Sequence, residues 1–531
     1  MEKRVLLAAL LAGVVLVVWS ALFSPPRPEP APVGREVGSS DRREDPPAVI
    51  GEEREAPLPE TDAISPALAA QGEVIVGEAG ALLTVQGDGW TAVVDTAGAV
   101  IRSLVLDGYR DAEGEVLDLV GETSSPPLSL AADGPWNREP YRVTLDGEGM
   151  RLEWSDGRGS WVEKEIGPGR GRYVANVGVR GGGRAWADGV VVGGGINEAA
   201  RSTKGGYFGR AGAVARLNGK VQHQSPAKVK GEKIWLGAVD FAGVEDQYFL
   251  LALLPDERVR EVRVDGSERT RDGRGRVVVF AGSEGLAGRL YAGPKEHHTL
   301  TGFGRGLEGT ISFGIFGFFS VGFLAALRWI FSWAGNWGLA IILLTAAIRV
   351  PLFPLTHKST VAMKRMQALK PKMDAIQERY RERAKKDPQV RNRMNQEVMA
   401  LYKQEGVNPL GGCLPTLVQL PILWALYTLF AYAIELRQAP FVLWVQDLSV
   451  KDPFYVLPVL MTASMFLQQR LAPQVGDPAQ RRMFMMMPLI FGIMFLSFPA
   501  GLVLYWLVNN VLTIGQQVLT ERLLRSRATG T

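Results

Sequence analysis

The sequence predicts an α-helical polytopic membrane protein that carries an all-β soluble domain. Two observations predict it. Long uncharged runs gather at Val5–Phe23 and between Ile311 and Leu519, whereas the stretch between them is polar, glycine-rich and broken into short alternating segments. Charge divides at the same places: residues 307–531 hold 23 Lys and Arg against 12 Asp and Glu, a net of +11, the first 23 residues add +1, and the overall +4 leaves −8 for residues 24–306. A basic membrane part is therefore joined to an acidic soluble part.

Met1-Glu-Lys-Arg4 precedes 19 uncharged residues. A helix of that length spans about 28 Å, close to the hydrocarbon thickness of a bilayer. The run is longer than a signal-peptide core, and Leu22 and Phe23 occupy the place of a small-residue cleavage site. We expect an uncleaved anchor over residues 1–23 with its N-terminus in the cytoplasm. Residues 24–70 are rich in Pro, Glu, Arg and Ala and periodic in neither sense, which predicts a flexible linker. From residue 71 to 306, alternating segments at Thr91–Val94, Val100–Leu106, Tyr141–Leu145, Leu152–Trp154, Tyr173–Val179, Tyr248–Leu254 and Arg276–Phe280 stand between Gly and Asp turns, the pattern of a β-sandwich on the outer face of the membrane.

Further apolar segments fall at about 311–333, 336–355, 414–434, 454–469, 483–498 and 502–519. If all of these crossed the bilayer, the loop from His357 to Glu405, with 13 Lys and Arg against 6 Asp and Glu, would face outward, against the positive-inside bias. Residues 307–333, with Gly314, Gly317, Gly322 and Arg328, are better read as an amphipathic helix lying in the interface. That leaves six spans, a five-helix core over 334–520 with a cytoplasmic hairpin at 357–405, and a short basic tail at 521–531.

Arg349 lies deep in the first core span. A charge there costs about 2.5 kcal/mol or more unless it is paired, hydrated or able to reach the interface. It either snorkels to the cytoplasmic headgroups or stands in a water-filled cavity between helices. Other polar residues of the spans support the cavity: Thr345 one turn before Arg349, Gln419, Gln468, Gln469, Asn509, Asn510, Thr513, Gln516 and Gln517. Each alone could be interhelical hydrogen-bond glue, but no expected span holds an acidic residue to pair Arg349. A cationic, wet groove attracts acidic polypeptide and lowers the cost of moving polar chain partway across the bilayer.

In the hairpin, 358–383 and 388–404 read as two helices, with Met363, Met366, Leu369, Met373 and Ile376 forming an apolar stripe. Its basic face, Lys358, Lys364, Arg365, Lys370, Lys372, Arg379, Arg381 and Arg383, either only fixes topology or is a docking surface, and its contact with nucleic acid would be unspecific. Met483, Met485, Met486 and Met487 head the short fifth of the six spans and suit either core filling or a surface for varied apolar partners.

A single cysteine, Cys413, excludes a disulfide framework and lies far from any N-terminal lipidation position. The four histidines have no cysteine neighbours, which argues against a metal site, and no GxxxxGK[ST], HExxH or GxSxG motif occurs. We expect neither a catalytic residue nor a cofactor.

Several stretches carry a resemblance: 335–345 with Arg349, Phe353-Pro-Leu-Thr356, 400–403 with 407–415, Gln419-Leu-Pro421, 435–441, and Phe498-Pro-Ala-Gly-Leu-Val-Leu-Tyr505-Trp506. In these the chain resembles the YidC/Oxa family of membrane protein insertases, in its form from double-membraned cells with a large periplasmic domain. The likeness covers residues 307–520 and extends weakly to 72–306 through Trp235 and Gln247-Tyr-Phe249. It implies an inner-membrane insertase and chaperone whose hydrophilic groove holds Arg349, with Thr345, Tyr505 and Trp506 along the substrate path. It also implies nascent membrane proteins as substrates, with the Sec translocon and its accessory subunits, the ribosome, the signal-recognition-particle receptor and membrane lipids as partners. The rival readings are a membrane-anchored glycan-binding or sugar-isomerising β-sandwich, which explains neither Arg349 nor the basic hairpin, and a transporter, which predicts internal repeats that are absent.

Overall fold

The computed structural model describes residues 73–529 except 79, 112–113, 122, 124, 187–188, 198–210, 226–228, 230, 267–275, 280–284, 408–413 and 473–477. The expected anchor, the linker and the motif around Cys413 lie outside the described residues.

The outer domain is an antiparallel β-sandwich. Its large sheet runs Val74–Ile75, Gly149–Asp156, Trp161–Pro168, Val174–Gly182, Leu286–Pro294, Phe249–Pro255, Val239–Glu245, Gly212–Leu217, Lys220–Gln224, with Arg142–Asp146 also paired to Gly149–Asp156. Two four-stranded sheets lie on it: Leu82–Gly87, Trp90–Asp95, Val100–Arg110, Val116–Asp118, and Val190–Gly193, Arg276–Val279, Glu261–Asp265, Glu232–Leu236. Alternation builds the small sheets, as in Trp90–Asp95, where Trp90, Ala92 and Val94 point inward. Phe249–Pro255 is instead apolar and buried along its whole length, as befits a strand covered on both faces.

The seven expected strands are present with shifted ends, but others were not foreseen. Trp161–Pro168 is one, because Glu163-Lys164-Glu165 interrupts its apolar pattern. Lys164 is nonetheless buried: its ammonium donates to the Gly98 and Leu128 carbonyls at 2.7 Å each and to that of Ala99 at 3.3 Å. Those bonds replace only part of the lost hydration, and burial pulls the Lys164 pKa down to about 7.

After α1 (His297–Thr301) come α2 (Gly317–Ala334), α3 (Trp337–Ala368), α4 (Lys370–Lys386), α5 (Pro388–Gln404), α6 (Leu414–Tyr432), α7 (Val456–Leu471), α8 (Pro478–Phe495) and α9 (Ala500–Thr529). Gly335 ends α2 in the left-handed conformation (φ 65°), and the Asn336 side chain caps α3 by accepting from the Leu339 amide at 3.0 Å. The Asn336 amide also donates to the Phe441 carbonyl at 3.0 Å, and the Phe441 ring lies over Gly338, where a Cβ would meet it at 2.0 Å. The outer connection between α6 and α7 is thereby fastened to the start of α3.

The first hairpin helix, expected over 358–383, is divided. α3 continues past Pro351 and Pro354 to Ala368, and α4 starts anew at Lys370. Pro371 explains the break, because it has no N–H for the Gln367 carbonyl and its ring would strike that carbonyl. Lys358, Lys364 and Arg365 therefore extend the first core helix. At 32 and 30 residues, α3 and α9 reach about 48 and 45 Å, well beyond a hydrocarbon layer of about 30 Å.

Contacts set the ends of the helical part. Gln247 of the outer domain donates to the Ala431 carbonyl at the end of α6, and Arg437 and Gln438 donate to the Arg110 carbonyl at 2.6 and 2.9 Å. The sandwich therefore meets the end of the bundle opposite to the α4–α5 hairpin.

Candidate functional site

α3 and α9 run parallel in a fixed register. Arg349 meets Asn509 and Thr356 meets Gln516, both pairs 160 residues apart, and His357 Nδ1 lies 3.0 Å from Thr520 Oγ1. Lys364 Nζ lies 3.5 Å from a Glu521 carboxylate oxygen. Asn509, Thr513, Gln516 and Thr520 recur at spacings of four, three and four, so they form one stripe along α9.

Arg349 is half-buried. Its Nε and Nη2 donate to Asn509 Oδ1 at 2.8 and 2.5 Å, and Nη2 donates also to Thr513 Oγ1 at 2.7 Å. Gln419 Nε2 of α6 lies 3.5 Å from the same Asn509 oxygen. Nη1 has no hydrogen-bond partner among the described residues. No Asp or Glu occurs in 337–357, α6, α7, α8 or 500–520, so the charge stays uncompensated within the bundle. Arg349 is thus held in place by neutral oxygens, with Nη1 left without a partner among the described residues.

Other polar residues are used differently. Asn510 is buried and donates to Ser464 Oγ at 3.0 Å, joining α9 to α7. Thr345 is buried, with its hydroxyl on the Ile341 carbonyl at 2.6 Å. The Tyr505 ring packs, tilted, 5.7 Å from Phe430 of α6, and Trp506 lies 5.1 Å from Phe495 and 6.4 Å from Phe491 of α8. These two aromatics pack α9 against its neighbours on both sides.

The apolar stripe of the hairpin is consumed inside the hairpin. Met366, Leu369 and Met373 bury against Tyr402 and Val407. Lys358, Arg365, Lys372, Arg379 and Arg383 remain exposed, although Lys372 pairs with Glu405 at 2.6 Å and Arg379 with Glu397 at 2.8 Å. Lys370 is half-exposed, and the side chain of Arg381 lies outside the described ones.

A second cluster went unforeseen. Arg328 of α2 donates through Nε to Glu435 at 2.8 Å, and through Nη2 to Glu435 and, at 3.2 Å, to Glu296 before α1. Ser320, one face of α2 further back, donates to the Ala425 carbonyl of α6 at 3.1 Å. A lone arginine in an apolar segment was the available signal, but its partner stands 107 residues away.

Residues 329–527 match the family described as 60Kd inner membrane protein, and residues 82–325 match the YidC periplasmic domain. A membrane protein insertase YidC of Geotalea uraniireducens (strain Rf4) is 35% identical over 99% of this chain and 100% of its own. The chain belongs to the YidC family of membrane protein insertases. Another YidC, of Geotalea daltonii, is 34% identical over 98% of this chain and 99% of its own. A crystal structure of an active YidC insertase with its first transmembrane domain resolved is 17% identical, covers 85% of this chain and 95% of that one, and has a TM-score of 0.37. Like its YidC relatives, the chain is an inner-membrane protein with a periplasmic domain, here the β-sandwich.

Proposed function

We propose that the Arg349 groove is the path by which this membrane protein insertase receives nascent integral membrane proteins and hands them to the lipid. The observation that carries the reading is an arginine inside the bundle, fixed by Asn509 and Thr513, with no acidic partner in the surrounding helices. A buried charge without a counter-charge is costly, and a groove that receives acidic or polar chain repays that cost when a substrate enters. Gln419 and Gln516 give the entering backbone partners before it reaches lipid, and Tyr505 and Trp506 form the packed wall beside them. α7, at 16 residues, reaches only about 24 Å, which shortens the apolar barrier at that side.

No step in this scheme makes or breaks a covalent bond. Six spans with both termini cytoplasmic accommodate the parallel sense of α3 and α9, with α2 as the interfacial helix. The exposed bases of the hairpin and of the last turns of α3 are the docking surface for ribosome or signal-recognition-particle receptor, and the outer domain and the α6–α7 connection face the Sec translocon.

The test is Arg349→Ala against Arg349→Lys in insertion of single-span substrates with acidic or neutral translocated tails. The alanine variant is expected to lose about tenfold for acidic tails, little for neutral ones, and the lysine variant to recover most of the loss. Equal losses for both tails would overturn the electrostatic reading.

A further inference from the structure

We infer that Asn509 is a positioning residue that sets the charge preference of the groove, by holding the Arg349 guanidinium without neutralising it. The inference rests on the groove reading above and goes beyond it, because it assigns the selectivity to a residue that has no charge of its own.

Asn509 Oδ1 accepts from both Nε and Nη2 of Arg349, at 2.8 and 2.5 Å. This is the side-on geometry that a carboxylate oxygen adopts toward arginine, here taken by an amide. Guanidinium has only donors, so the amide oxygen must face it. Thr513 Oγ1, one turn on along α9, takes another Nη2 hydrogen at 2.7 Å, and is itself fixed by donating to the Asn509 carbonyl at 2.6 Å. One edge of the guanidinium is thus fully engaged by neutral acceptors from a single helix, and Nη1 is left as the free edge.

A carboxylate at position 509 would make an internal ion pair of the same shape. It would hold the arginine equally well, and at effective dielectrics suited to partly buried sites it would cancel most of its field on a third group. An apolar residue would leave the charge but release its orientation, and a freed arginine can swing toward the headgroups. Asparagine supplies orientation and leaves the charge available. The occupant this suits is a carboxylate of an entering chain, received end-on by Nη1.

The experiment uses the full-length protein in proteoliposomes, with three versions of one single-span substrate whose translocated tail is acidic, neutral or basic. Asn509→Asp is expected to reduce insertion of the acidic tail by about tenfold, as Arg349→Ala does, while the neutral tail inserts as in the unsubstituted protein and the basic tail gains. Thr513→Val removes one acceptor and no charge, and is expected to lower acidic-tail insertion a few-fold with the neutral tail unchanged. Neutral-tail insertion reports that each variant is folded. An Asn509→Asp protein that keeps its acidic preference, or that loses all three tails equally, overturns the inference while leaving the groove reading to stand on Arg349→Ala. If Arg349→Ala itself shows no tail dependence, the reading and the inference fall together.

Discussion

Three carbonyl oxygens around Lys164 Nζ show how single residues in the outer domain are ionisable and yet internal. Its Nζ ties the turns at Gly98–Ala99 and Leu128 to the strand Trp161–Pro168. Lys164→Met keeps the length but strands those acceptors, so we expect the domain to lose about 2–4 kcal/mol, measured by urea unfolding followed through its tryptophans. Glu245 is a second case. Burial favours its neutral form, but the Lys295 ammonium at 2.6 Å and His223 at 2.6 Å outweigh this and hold its carboxyl below the ordinary range. The native protein therefore binds fewer protons than the unfolded chain around the ordinary value of about 4.3. The contribution of Glu245 is complete above that value and is lost as the pH falls through the lower native one. The stability gap between the unsubstituted protein and Glu245→Gln should accordingly be full at neutral pH and close below about pH 4; a gap independent of pH would contradict the pairing. Neither residue was legible in the sequence. Glu163-Lys164-Glu165 reads as a solvated run, and Lys295 and Glu245 are 50 residues apart.

Among elements, α2 is fixed by its buried Leu324, Leu327 and Ile330 together with one ion cluster and a few hydroxyl bonds. Of the two carboxylates on Arg328, Glu435 is the more buried, with 11% of its side chain exposed against 36% for Glu296, and it takes two of the three bonds. Glu435→Gln should loosen α2 more than Glu296→Gln does, seen as faster amide hydrogen exchange across Gly317–Ala334. The start of α3 depends on the close approach of Phe441 to Gly338. Gly338→Ala must displace that ring, at about 1–3 kcal/mol, and should lower thermal stability without changing tail preference. Helices were the most legible elements, since apolar runs mark them regardless of context. Their joints were less so: the division at Leu369 turned on Pro371, while Pro351 and Pro354, equally visible, leave α3 continuous. Two of the strands missed, Trp161–Pro168 and Val239–Glu245, carry charged residues that are buried, which no local pattern reveals.

At the scale of the molecule, the isolation of Arg349 was legible because it needs only a search of the spans for acids. The identity of its neighbours was not, because Asn509, Asn510, Gln516 and Gln517 look alike in sequence and only the parallel register of α3 and α9 turns Asn509 to the arginine and Asn510 to Ser464. The outer domain meets the bundle through backbone carbonyls at Ala431 and Arg110 and through Glu296, all at the end away from the hairpin. Removing about residues 73–290 leaves α1, Glu296 and the whole bundle in place, so insertion should largely survive; complete loss would assign the sandwich a direct part.

We propose that the bundle inserts protein by itself. This is tested by adding a small single-span protein with an acidic tail to sealed proteoliposomes that contain only this purified chain, and to empty liposomes, then measuring protease protection of the tail. Protection that requires the chain, without ATP or Sec components, and that falls about tenfold with Arg349→Ala, is expected. Equal protection with and without a folded, correctly oriented chain would contradict it.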